Sequence, residues 1–171
     1  DTLLTSMKVF SLNCWLLPPP LARNNHERID TIIDSIKDAD PDVIALQEVW
    51  LHKYAERFKQ TFADHTFTHS SHRLYNRGGL LTGIRTDADV ETGFFGSEGG
   101  SIVERIAAKG YHASDMNGIP LVNTHLYAPT SPETTHIPKR QFSALQDMLS
   151  DQAAVLIGDL NIDEPRLAEL N

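Results

Sequence analysis

The sequence has a single cysteine, Cys14, in 171 residues, so no disulfide can form within the chain, which neither requires nor excludes secretion. No apolar run nears the roughly 18 residues needed to span a membrane. There is no internal repeat and no low-complexity segment. The first ten residues, "DTLLTSMKVF", have neither a basic n-region nor a long apolar core, so no signal peptide is visible. Cationic residues are also in short supply: 15 Lys and Arg stand against 23 Asp and Glu, a formal net charge of -8. That balance disfavours a nonspecific polyanion binder, which usually carries a basic footprint, although a bound divalent cation would change the local field. What is present is ordinary globular composition, 40% hydrophobic and 22% charged. It suits one domain over 1–171 with a sizeable core rather than a disordered chain.

Short apolar runs alternate with amphipathic stretches, which predicts a layered α/β or α+β domain. "MKVFSLNCW" (7–15) sets Val9, Ser11 and Asn13 against Phe10, Leu12 and Cys14 and reads as a strand. "LPPPL" then imposes a rigid extended loop. A helix follows, with Asn24 as N-cap and Glu27 three residues on. Its apolar stripe is Ile29, Ile32, Ile33 and Ile36, and Asp40-Pro41 closes it. "DVIALQEVW" (42–50) reads as a strand buried on both faces, and Tyr54, Phe58 and Phe62 mark a second helix. The middle, 65–111, is Gly-rich and polar, with strand-like pieces at "GLLTGI" and "IVERIAAKG". "IPLVNTHLYA" (119–128) is a further strand, followed by a loop holding Pro129, Pro132 and Pro138. Phe142, Leu145 and Leu149 give a third helix face, and "AVLIGDLNI" is the last strand.

Four of these strands finish on side chains of catalytic type: Asn13, Glu48, His125, and the pair Asp159 and Asn161. Functional groups gather at strand ends in α/β sheets, where a rigid backbone meets open loops. Together they supply carboxylates, amides and an imidazole, a set suited to a hard cation such as Mg²⁺, which keeps waters for phosphate oxygens. It suits zinc poorly, with one Cys and no close His pair at the strand ends. The Asp-x-Asn spacing puts Asp159 and Asn161 on one side of an extended segment, one to polarise a water and one to donate an N–H to a phosphate oxygen. The chemistry is metal-assisted phosphoester hydrolysis. Singly, each residue has a plainer reading. Asn13 is a strand-end cap, Glu48 the first solvated residue, His125 a core histidine, and Asp159 and Asn161 turn formers. Their joint occurrence at four strand ends favours the site.

"SLNCW", "ALQEVW", "NTHLYAP" and "IGDLNID", in that order from about residue 7 to residue 163, resemble the endonuclease/exonuclease/phosphatase superfamily of metal-dependent phosphodiesterases. Within it the neutral sphingomyelinase-like branch is most similar, through "FSLNCW", "LQEVW", "ERIAAKGY" and the Arg140-Gln141 helix start; the "LPPPL" loop resembles its bacterial members. The resemblance implies a four-layer α/β/β/α, DNase I-like sandwich. It implies that Glu48 binds Mg²⁺ (or Mn²⁺) with Asn13 beside it, that His125 and the Asn161 amide stabilise the phosphoryl group, and that Asp159 orients the attacking water. It further implies in-line attack without a covalent intermediate, a phospholipid substrate at a membrane surface rather than nucleic acid, and a secreted or periplasmic setting. A nuclease of the same superfamily and a catalytically inactive binding domain are the alternatives. Members carry a further Asp-His pair, usually within "SDH", whose His is the general base. This sequence has no "SDH", so 1–171 is expected to be the first two-thirds of a domain, with hydrolysis weak or absent if the chain stops at Asn171 and a sheet edge left exposed.

Three further features have bland readings. His65, His69 and His72 in "HTFTHSSH" read as a polar loop rather than a zinc site. Arg77, Gly78 and Gly79 read as a glycine-containing strand entry rather than a phosphate cradle. Trp15 and Trp50 read as core packing behind the site.

Overall fold

The computed structural model describes residues 6–86, 88–96, 107–149 and 152–162. Within them the chain runs β1 (Val9–Leu16), α1 (Asn25–Ala39), β2 (Val43–Val49), α2 (His52–Thr61), β3 (Thr66–Ser71), β4 (Asn76–Ile84), β5 (Val90–Phe94) and β6 (Gly110–Asp115). It continues with β7 (Pro120–His125), a 3-10 turn (Pro132–Thr134), α3 (His136–Met148) and β8 (Val155–Asp159). The strands form two sheets ordered β1-β2-β4-β3 and β5-β6-β7-β8. The pairs β1/β2 and β7/β8 are parallel, each joined by a crossover through a helix, and the remaining pairs are antiparallel.

Period-two alternation sorts the side chains into layers. Phe10, Cys14, Ile44, Leu46 and Leu81 face outward and pack with the isoleucine stripe of α1 and with Tyr54 and Phe58 of α2. On the other side Val122 and Leu156 meet Phe142 and Leu145 of α3. Between the sheets Val43, Ile84 and Leu121 form a third core, flanked by Val9, Val155 and Ile157. The result is the expected α/β/β/α sandwich.

The inward faces of four strands change character along their length, and this gradient positions the site. β1 presents Val9, Ser11, Asn13; β2 presents Val43, Ala45, Gln47; β7 presents Leu121, Asn123, His125; β8 presents Val155, Ile157, Asp159. One end of the inter-sheet space is therefore apolar and the other carries the functional groups. Between them lies a buried polar layer. Gln47 Nε2 donates to Asn123 Oδ1 (2.8 Å), Asn123 Nδ2 donates to Thr82 Oγ1 (3.0 Å), and Thr82 Oγ1 lies 2.9 Å from His112 Nδ1.

Several local expectations are corrected. Residues 66–71, read as polar loop, form the edge strand β3: Phe67 packs against the α1/α2 core, and the register with β4 overrides the polar composition. Asn24 precedes α1 at φ 58° without a side-chain cap bond, so the capping box does not form. Asn25 instead donates to Leu17 O (2.9 Å) and Tyr54 OH (3.1 Å), tying the proline loop to α2. Helix α3 begins at His136, ahead of Arg140, with Pro138 in the first turn where its missing N–H is harmless. Most of "IVERIAAKG" falls outside the described residues, and the strand there begins at Gly110.

Candidate active site

Asn13, Glu48, His125, Asp159 and Asn161 come together where β1, β2, β7 and β8 end. In a regular strand Gln47 and Glu48 would point to opposite faces. Glu48 instead has φ 58°, a left-handed conformation that breaks the alternation. Gln47 thus reaches Asn123 while Glu48 also turns between the sheets, accepting from Asn13 Nδ2 at 3.3 Å. Trp15, at φ 49° in the irregularity that separates the Asn13–Gln47 and Leu16–Val49 pairings, is the matching kink on β1. Its N–H donates to Asn13 Oδ1 (3.0 Å), which leaves Asn13 Nδ2 to bind both Glu48 and Asp159 Oδ2 (2.8 Å). Asn13 therefore shows the two carboxylates its nitrogen; ligating a cation through its oxygen would require the amide to turn over and release Trp15.

"GDLN" has a local reason. Gly158 has φ 132°, and a Cβ there would lie 1.9 Å from Thr124 O, so only glycine lets β8 press against β7 immediately before Asp159. The Asn161 N–H donates to Asp159 Oδ1 (3.2 Å), and Asn161 Nδ2 donates to Leu126 O (2.9 Å), holding the pair on one side of the segment. Asn161 takes the left-handed conformation (φ 51°) that asparagine tolerates better than most residues.

His125 is buried, with Nε2 3.8 Å from both Glu48 Oε1 and Asp159 Oδ2. Sequence reasoning missed Lys109, also buried, whose Nζ lies 3.0 Å from His125 Nδ1 and 2.7 Å from Nε2. The available signal was a single lysine in an apolar stretch, "AAKGY", opposite the catalytic strand end. Burial first, then the Lys109 charge, push the His125 imidazole well below the usual histidine range, against an opposing pull from Asp159. His125 is thus a neutral hydrogen-bonding group. Cys14, next to Asn13 in the sequence, is inert: burial and the Glu48 charge push its thiol up.

An open cleft of about 690 Å³ lies over the site, lined in part by Asn13, Gln47, Pro129, Asp159 and Asn161. Glu48 and His125 sit deeper, reached through Asn13 and Asp159. The donor set fits a hard cation. Among the described residues Glu48 Oε2 is buried without a hydrogen-bond partner, and a buried carboxylate oxygen is costly unless something positive faces it. Two carboxylates among the described residues, Glu48 and Asp159, against one ammonium, Lys109, leave one formal negative charge. A divalent cation turns this to one positive charge, the complement of a phosphodiester. Among the described residues no three His, Cys, Asp or Glu side chains form a ready metal cage; a small hard cation such as Mg²⁺ takes only one or two carboxylates and fills its shell with water and substrate oxygens.

The other candidates go elsewhere. His65 is buried, its ring bonded to Asp64 Oδ1 and Pro41 O. His69 pairs edge-on with His52, and His72 lies against Tyr75, so the three do not converge. A Cβ on Gly79 would meet the Trp50 ring at 3.1 Å, and one on Gly78 would meet Ala108 O at 3.2 Å, so both serve close packing. Trp50 is buried as expected, whereas Trp15 is 56% exposed and does not pack behind the site.

No curated protein sequence matches the chain. Its fold is similar to sphingomyelinase C from Streptomyces griseocarneus (TM-score 0.78, 21% identity, 97% of this chain and 68% of that one). It is also similar to a β-hairpin deletion mutant of beta toxin from Staphylococcus aureus (0.78, 18%, 97% and 71%) and to D. rerio TDP2 complexed with single strand DNA product (0.71, 16%, 96% and 64%). The chain thus spans about two-thirds of the length of these structures. The Endonuclease/Exonuclease/phosphatase family matches residues 10–167. With the strand-end constellation in place over that same span, the chain belongs to this family.

Proposed function

We propose that the site hydrolyses a phosphodiester in a phospholipid, of the sphingomyelinase kind, with a divalent cation (Mg²⁺ or Mn²⁺) held by Glu48 and, after an amide turn, Asn13. The observation that carries this reading is the Glu48 carboxylate, whose Oε2 is buried with no hydrogen-bond partner among the described residues while its Oε1 is linked through Asn13 Nδ2 to Asp159. When bound, the cation supplies charge neutralisation at the phosphate oxygens. Asp159, its carboxylate fixed by Asn13 and by the Asn161 N–H, orients the attacking water. Asn161 spends one amide hydrogen on Leu126 O and directs the other to a phosphate oxygen. The neutral His125 donates a ring N–H to the phosphoryl group, and Lys109, its Nζ 2.7 Å from His125 Nε2, keeps positive charge next to the developing oxyanion.

The motifs and the net charge of -8 support lipid over nucleic acid. A nuclease reading is kept by the DNA-product complex among the similar folds. The test sets Mg²⁺-dependent headgroup release from sphingomyelin vesicles beside nicking of plasmid DNA. Headgroup release lost in Glu48→Gln supports the proposal. Nicking without lipid hydrolysis replaces it with the nuclease reading, and silence in both assays with the complete gene product leaves the catalytically inactive binding domain.

A further inference from the structure

Six large hydrophobic side chains are exposed among the described residues, and four of them, Trp15, Leu21, Leu74 and Phe94, lie on loops or strand termini at the active-site end. Leu21 and Leu74 are the most exposed of all, at 70% and 75%. Isolated exposed leucines need no explanation; clustering at one end beside a site does. Topology brings these segments together. Trp15 ends β1, Leu21 lies in the loop before α1, and that loop is tied to α2 through Asn25 and Tyr54. Leu74 sits in the β3–β4 turn, which returns to β2 and α2 through Asn76 N–H to Trp50 O (2.8 Å) and through His52 Nε2, 2.8 Å from His72 O.

The same end is cationic in an acidic chain. Arg28 lies over the Trp15 ring (5.4 Å) and Arg77 over the Phe94 ring (4.4 Å). Arg23 and Arg73 occupy the same loops, with Lys53 in the first turn of α2. The described acids at this end are Glu27, Glu56 and Glu133, besides Glu48 and Asp159 of the site itself, and Glu56 is paired with Lys59. The opposite end carries Asp38, Asp40, Asp64, Asp89 and Asp115, relieved mainly by Arg85. Among the described residues the charge is therefore polarised, and its field turns the site end toward a negative surface.

We propose that this end docks on the headgroup region of an anionic phospholipid bilayer. Trp15, Leu21 and Leu74 enter the interface, and Arg23, Arg73 and Arg77 lie at the level of the lipid phosphates. Tryptophan suits that boundary because its ring is apolar with one polar edge; arginine suits it because its stem covers apolar surface while its guanidinium binds phosphate. A nucleic acid would use the arginines but gains nothing from two leucines that stand clear of the protein. This docking rests on the phospholipid reading of the site and makes it more specific: the substrate is presented in a membrane rather than free in solution.

The protein has two tryptophans, Trp15 exposed and Trp50 buried, so emission reports docking directly. Vesicles of phosphatidylcholine with phosphatidylserine should shift the emission to the blue and carry the protein down on sedimentation, less so as salt rises. Trp15→Phe should lose the shift and keep most of the sedimentation. Leu21→Glu with Leu74→Glu should weaken partitioning at least about tenfold, and Arg73→Glu or Arg77→Glu by about fivefold or more each. Leu21, Leu74, Arg73 and Arg77 lie outside the catalytic set, so hydrolysis of a water-soluble phosphodiester should persist in their variants. Soluble-substrate hydrolysis without any vesicle binding overturns the docking and leaves the catalytic reading standing. Vesicle binding without hydrolysis supports the docking and removes the catalytic reading. Binding of a single-stranded oligonucleotide that needs the arginines, with vesicle binding indifferent to the leucines, overturns the lipid assignment.

Discussion

Glu48 holds a left-handed backbone that costs a residue with a Cβ about 1–2 kcal/mol. The strain lets two consecutive side chains, Gln47 and Glu48, both reach between the sheets. Glycine removes the strain and alanine does not. Glu48→Gly should therefore be about 1 kcal/mol more stable than Glu48→Ala in urea unfolding, while both lose hydrolysis. Equal stabilities would show that the backbone stores no strain there. The residues of the site were visible in the sequence because each ends a strand, but their arrangement was not. No pattern in "ALQEVW" announces that Glu48 leaves the strand alternation. Lys109 was hidden for a related reason: its role depends on β6 running antiparallel to β7, which sets it against His125 across 16 residues of sequence.

At the scale of elements, the strands legible in the sequence are those with a one-way polarity gradient on the inward face, ending on Asn13, Glu48, His125 or Asp159. β3 and β5 lack one. They are edge strands, paired on one side only, and their Thr, Ser and Gly content reads as loop until a partner supplies the register. The layer behind the site couples the two sheets through the Gln47–Asn123 hydrogen bond, between residues that are 1% and 0% exposed. Removing Gln47 takes the donor from buried Asn123 Oδ1, and removing Asn123 leaves Gln47 Nε2 only its bonds to Ala45 O and Ser11 Oγ, at about 1–3 kcal/mol each. Gln47→Met and Asn123→Leu together should cost less than the sum of the single changes, with a coupling of roughly 1–2 kcal/mol in a double-mutant cycle. Strict additivity would mean that the two sheets are not joined there. Because Glu48 follows Gln47, and His125 lies one step along the face from Asn123, each single variant should also lower the rate at saturating substrate.

For the whole molecule, the two sheets meet over an interface that is apolar at one end, polar in the middle and charged at the other. The buried middle has a pH signature. Burial, then the positive charge of His69, push His112 down to about 4, whereas the unfolded chain protonates it near 6.5. Below that value the unfolded state binds the proton first, so the contribution is fully present above about pH 6.5 and is lost as pH falls toward 4. His125, shifted in the same direction, adds to the effect. Urea unfolding at pH 4.5 should give a stability lower than at pH 7, with His112 accounting for on the order of 2–3 kcal/mol. His112→Gln, which keeps a partner for Thr82, should flatten that slope, and an unchanged slope would place the sensitivity elsewhere. The acidic end opposite the site and the cationic rim around it belong to the same polarity, read along the outside of the sandwich rather than between its sheets.

The central claim is that the four strand ends build one cation-dependent phosphodiester site around Glu48. Its most direct test is hydrolysis of a water-soluble phosphodiester by the protein with and without Mg²⁺, for the natural chain and for Glu48→Gln. The expected rate is abolished by a chelator, restored by Mg²⁺, and reduced on the order of 10²-fold or more in Glu48→Gln. Hydrolysis that is indifferent to both the chelator and the Glu48→Gln substitution would contradict it.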